Sequence, residues 1–112
     1  MNDLELTLSN VDRIIEEARR EDISFTEKAG LYAAMDAIKR SIDKHIDEDC
    51  GGDANAHEKI FNVNWFVGAL LGFDATNDHP ISQLVVFALA NQDSLRNVLG
   101  QHKARRESQG EE

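Results

Sequence analysis

A chain of 112 residues falls within the size of one domain, and 41% hydrophobic with 29% charged residues is the composition of a folded globule, which excludes wholesale disorder. The net charge is −9, from 12 Lys and Arg against 21 Asp and Glu, and it is concentrated: residues 1–58 hold fifteen acids and seven bases, residues 59–112 six and five. A surface of that sign repels nucleic acid and anionic lipid and attracts cations or basic protein patches, so direct nucleic-acid binding is not expected.

The first helix is expected from near Ser9, where Val11, Ile14, Ile15 and Ala18 follow the i, i+3, i+4, i+7 spacing of a single apolar stripe. Asp12, Arg13, Glu16, Glu17 and Arg20 are left to solvent. Ser24 and Glu27 stand three apart, as a capping box requires, and open a second helix. Leu31, Met35, Ile38, Ile42 and Ile46 then recur at alternating steps of four and three, as far as about Asp47. Cys50-Gly51-Gly52 breaks the pattern, because paired glycines weaken a helix and readily adopt positive φ.

Asn55 and Glu58 repeat the capping-box spacing ahead of a segment, 60–73, that is apolar nearly all round through Phe61, Val63, Trp65, Phe66, Val67, Leu70 and Leu71. A helix of that kind is expected to be central and surrounded. Gly68 and Gly72 would let a neighbouring helix approach closely, and Gly72 is a natural stop. After a loop over 74–79, Pro80 suits the first turn of a fourth helix capped by Asp78 or His79 and carrying Ile81, Leu84, Val85, Ala88 and Leu89. Residues 91–94 leave open whether 80–102 is one helix or two. From Lys103 to the end only Ala104 is apolar, which predicts a frayed tail.

These elements predict an all-α fold, a small antiparallel bundle of four or five helices forming a single domain over 1–102 with a polar tail over 103–112. Cys50 is the only cysteine, so no intramolecular disulfide is expected. The acidic residues 1–5 differ from a basic secretory leader. Both features point to an unprocessed chain in a reducing compartment, the cytoplasm. The longest apolar segment is shorter than the roughly 20 residues of a membrane span and carries Asn62 and Asn64, so no span is expected. In so small a domain the third helix is hard to cover, which predicts an apolar interface at Trp65, Phe66 and Phe73 for a homodimer or another partner.

The densest cluster of chemistry-bearing residues is Asp47-Glu48-Asp49-Cys50-Gly51-Gly52-Asp53-Ala54-Asn55-Ala56-His57-Glu58. This stretch resembles the calcium loop of the EF-hand family, twelve residues between two helices, which supplies acids at positions one, three and five, glycine at six and a bidentate glutamate at twelve. Asp47, Asp49, Gly52 and Glu58 match positions one, three, six and twelve. The resemblance implies further ligation by Asn55 and by the carbonyl of Asp53. The chain departs from the family at Gly51 in position five, at Ala54 in position eight and at Lys59 after the loop, and it has no second such loop. Calcium is the only cofactor this pattern suggests.

Two other chemistries draw on the same residues. His45, Asp49, Cys50 and His57 offer nitrogen, sulfur and oxygen to a metal such as zinc, without the usual spacings. Cys50 beside His45 or His57 is the only candidate nucleophile, and surrounding carboxylates would raise its pKa and blunt it. No phosphate-cradling loop, serine elbow or H-E-x-x-H motif is present, so no enzyme activity is expected. Arg96, Lys103, Arg105 and Arg106 form a small basic terminus that complements a helix C-terminus.

The reading that follows is a non-enzymatic, acidic protein-binding module, a regulator, inhibitor or immunity-type protein that occupies a basic surface of its partner. Asp36, Asp43, Asp47, Asp49 and Asp53 are its expected acidic face, set against an arginine-rich groove. The alternative is a divalent-ion-binding helix-loop-helix, with Asp47, Asp49, Asp53, Asn55 and Glu58 as ligands.

Overall fold

A computed structural model describes residues 3–73 and 79–110 and shows four helices packed together: α1 (Asp3–Ala18), α2 (Phe25–Asp49), α3 (Ala54–Leu70) and α4 (Ile81–Gly110). No strand occurs among the described residues. No helix among them is long and apolar enough to cross a membrane.

The core draws on all four helices, and each contributes the face that its apolar spacing defines. In α1, Leu8, Val11, Ile14, Ile15 and Ala18 are buried. The helix begins at Asp3, ahead of the Ser9 start expected from the sequence, because Leu4 and Leu8 extend the same stripe one turn back onto the core. In α2, Met35, Ile42 and Ile46 are buried and Leu31 and Ile38 pack against them. Ser24 caps this helix by accepting the Glu27 N–H at 3.1 Å. Its hydroxyl in turn donates to the Glu27 carboxylate at 3.1 Å.

Helix α3 corrects the expectation of a surrounded rod. Ala56, Ile60, Val63, Val67 and Leu70 are buried at steps of four and three, so one stripe meets the core. Phe61 and Trp65, on the other side of the helix, stay exposed. Its start is also corrected: Asp53, not Asn55, is the cap, accepting the N–H groups of Asn55 at 2.8 Å and Ala56 at 3.1 Å. Gly72 ends the helix at φ 83°, and the Phe73 N–H returns to the Gly68 carbonyl at 2.9 Å, closing a glycine-terminated helix end.

Helix α4 is continuous through residues 91–94, so the bundle has four helices rather than five. Pro80 precedes its first residue and accepts the N–H groups of Gln83 and Leu84. The expected Asp78 cap and most of the 74–79 loop lie outside the described residues. Residues 103–110, expected as a frayed tail, continue the helix. At 30 residues α4 is about 45 Å long, within a molecule 53 Å in its longest extent. It makes its most extensive contact with α3. It is tied to α1 by the buried Gln92, whose amide donates to the Leu8 carbonyl at 2.9 Å, and by Arg96 on Asp12 at 2.5 Å.

Candidate functional site

Three regions concentrate the chemistry of the molecule: the hinge between α2 and α3, an aromatic face across α3 and α4, and a cavity behind the hinge. At the hinge, Gly51 and Gly52 take φ values of 63° and 70°, a conformation that side-chain-bearing residues adopt only at a cost. The paired left-handed residues curl the chain so that the N–H groups of Cys50 and Gly52 both reach the Ile46 carbonyl at 3.0 Å. The turn therefore closes in four residues, 50–53.

This geometry divides the segment that resembles a calcium loop. Asp47 and Asp49 lie in the last turn of α2, while Asn55 and Glu58 belong to α3. The Asp53 carbonyl, assigned to an ion by the resemblance, accepts the His57 N–H at 3.1 Å. Its carboxylate is engaged too, with one oxygen capping α3 and the other accepting from His102 at 2.7 Å. Among the described residues no group of three His, Cys, Asp or Glu side chains is placed to hold a metal ion.

The five carboxylates expected as an acidic face each have a base within ion-pair distance. Asp36 pairs with Arg40. Asp43 meets Lys39 at 2.7 Å and His57 at 2.7 Å. Asp47 meets His57 at 2.8 Å, and Asp49 meets His45 at 2.9 Å and Arg106 at 3.3 Å. Asp53 holds His102. Three of these bases sit four residues from their acid on α2, the spacing at which helix side chains touch. The others arrive from α3 and α4.

His57 has a carboxylate on each ring nitrogen. A neutral imidazole carries one N–H and cannot donate to both, so the geometry calls for the imidazolium. The hydrogen bond to Asp43 is the main influence raising the His57 pKa; burial opposes it, and the Asp47 bond adds to the rise. The Asp53 pKa is lowered, chiefly by the His102 hydrogen bond and then by the Ala56 N–H. Cys50 is buried, and burial followed by the Asp49 charge pushes its thiol pKa up. The thiol is thus held protonated, the state least suited to nucleophilic attack.

The aromatic face spans α3 and α4. Trp65 and Phe66 meet edge to face at 5.1 Å between ring centroids, and Phe66 meets Phe87 of α4 at 5.3 Å. Phe61 stands one helical turn before Trp65. Phe61, Trp65 and Phe87 are 57%, 36% and 38% exposed. Asn62 and Asn91 bridge the two helices beside them at 3.2 Å. Of the three apolar residues singled out in the sequence, the structure joins Trp65 and Phe66 here. It places Phe73 elsewhere, against Tyr32 at 4.8 Å and Phe25 at 5.9 Å. Phe61 and Phe87 were legible only as members of apolar runs.

A cavity of about 610 Å³ opens between α1, the end of α2 and the second half of α4. Leu4, Leu8, Cys50 and Leu99 give it apolar walls, and Arg96, Lys103 and Arg106 line it as well. The sequence showed these bases as a terminal cluster. Their joint placement depends on α4 continuing past residue 102, beyond the end expected for it.

Compared with known proteins, the chain matches no family model, no curated protein and no solved structure.

Proposed function

We propose that this chain is a non-enzymatic, acidic protein-binding module of the cytoplasm, an antiparallel four-helix bundle that docks on a partner through the aromatic face of α3 and α4. One observation carries the reading: Trp65, Phe66 and Phe87 are in ring contact across α3 and α4, and Phe61, Trp65 and Phe87 beside or within that group are partly open to water. Rigid aromatic side chains of this kind supply large contact area at low entropic cost and dominate interface energetics.

The partner is a different protein with an apolar patch ringed by basic side chains. Glu58 stands one turn before Phe61 on α3 and is exposed. Two copies meeting through this face would bring together twice the charge of −9, a repulsion that favours a partner of opposite sign over self-association. The paired carboxylates of α2 contribute to the long-range field that steers such a partner, while the aromatic row provides the contact. Covering a basic surface in this way is the action of an inhibitor or regulator.

The test is photocrosslinking in cells, with a benzophenone amino acid at position 61 and, as control, at position 44 on α2. The reading expects one dominant protein adduct from position 61, absent from position 44. Equal labelling from both positions, or an adduct to a second copy of the chain, would overturn it.

A further inference from the structure

The cavity stands apart from the aromatic face, and its chemistry differs from that of the rest of the molecule. The chain as a whole has 12 Lys and Arg against 21 acids, yet Arg96, Lys103 and Arg106 line this one space, against Glu5 and Asp49. On α4, Arg96, Leu99, Gly100, Lys103 and Arg106 fall at i, i+3, i+4, i+7 and i+10, a single helix stripe. Leu4 and Leu8 of α1 face the same space, and Cys50 closes the side where α2 ends. A volume of about 610 Å³ lies in the 300–1,000 Å³ range of small-molecule sites, which combine apolar walls with a few polar groups that fix orientation.

Gly100 supplies a second, independent observation. A glycine inside a helix is less favourable than alanine, so one at mid-helix needs a reason. A Cβ added here would meet nothing within 4 Å, so no neighbouring helix requires the glycine. What its missing side chain leaves is room in the cavity it lines.

We propose that this cavity binds a small carboxylate bearing a short apolar chain, with the chain between Leu4, Leu8 and Leu99 and the carboxylate on Lys103 and Arg106. Arg106 touches Asp49 at 3.3 Å and shares it with His45, so part of its planar fork of donors is free for a second carboxylate. No described acid lies within ion-pair distance of Lys103. A neutral ligand of the same shape would leave the Lys103 charge unanswered, and a cationic one would meet it with like charge.

Titrations of octanoate, octanol and octylammonium into ¹⁵N-labelled protein, followed by amide chemical shifts, test the assignment. Octanoate is expected to give saturable shifts at Leu8, Cys50 and Leu99, with octanol weaker by about tenfold and octylammonium giving no saturable change. Gly100→Leu fills the space with a better helix former, so it is expected to weaken octanoate binding at least about tenfold without lowering the melting temperature. Lys103→Gln is expected to reduce the preference for octanoate over octanol. The proposal fails if octylammonium binds as well as octanoate, if saturable shifts fall at Phe61 and Trp65, if none is saturable, or if Gly100→Leu binds normally.

Discussion

Helix α3 carries two regions that treat their surroundings in opposite ways. At its start, the hinge with α2 is crowded with formal charge, and the charges answer one another: His57 bridges Asp43 and Asp47, and Asp53 caps the helix while holding His102. In its middle, Phe61 is 57% exposed and Trp65 36%, beside the Phe66–Phe87 contact with α4. If the proposed docking holds, formal charge is the poorer guide to the surface used. A paired carboxylate must give up its partner to gain a new one, so the exchange returns little. An exposed phenylalanine gives up only water, at roughly 25 cal/mol per Å² of apolar area covered.

The comparison breaks first at the glycines. If the hinge is held by backbone conformation, replacing Gly51 and Gly52 together with alanine should cost about 2–4 kcal/mol, from two residues forced into the left-handed region. A Cβ at Gly52 would stand 3.6 Å from the Asp47 carboxylate, an ordinary contact, so the cost comes from the backbone. Urea unfolding measures it, and a loss below about 0.5 kcal/mol would shift the weight onto the ion pairs. Phe61→Ser is the mirror image. Stability should change by no more than about 0.5 kcal/mol, since the ring is mostly solvated. Affinity for the crosslinked partner should fall about tenfold or more. A variant that unfolds and still binds would invert the roles of the two regions.

The legible parts of the fold are those written by local spacing. The alternating steps from Leu31 to Ile46 and the Ser24–Glu27 pair determine α2 without reference to the rest of the chain. Helix α3 was harder, because a segment apolar on every side does not say which side meets the core. The sorting of Ile60, Val63 and Val67 inward from Phe61 and Trp65 outward depends on where α4 lies. The cap moved from Asn55 to Asp53 because the glycines close the turn sooner than capping-box spacing alone suggests. The sequence places Arg40, Lys39 and His45 four residues from Asp36, Asp43 and Asp49, so those pairings are legible from helix spacing alone. His57 and His102 reach their acids only through the tertiary fold. The cavity was illegible for the same reason, since its walls come from α1, α2 and α4.

The smallest expected effect concerns the His57 bridge and is read through pH. Its folded-state pKa is raised above the ordinary value, first by Asp43 and also by Asp47. A group shifted in that direction binds its proton more tightly in the folded protein, so its stabilisation is complete below the unfolded value near pH 6.5 and is lost as pH rises through the raised one. The urea midpoint of the native chain should therefore decline as pH rises from about 6.5 through the raised value, and His57→Gln should flatten that decline. Asp53, whose pKa is lowered, acts with the opposite sign and only in acid, outside this window. Cys50 shares the sign of His57, but its pKa is raised from 9.0, so its contribution enters above the window. A parallel decline in the variant would mean that the two carboxylates are held by Lys39 and by solvent, with the imidazole a bystander. A decline confined to the native chain would make the proton on His57 the tie between α2 and α3.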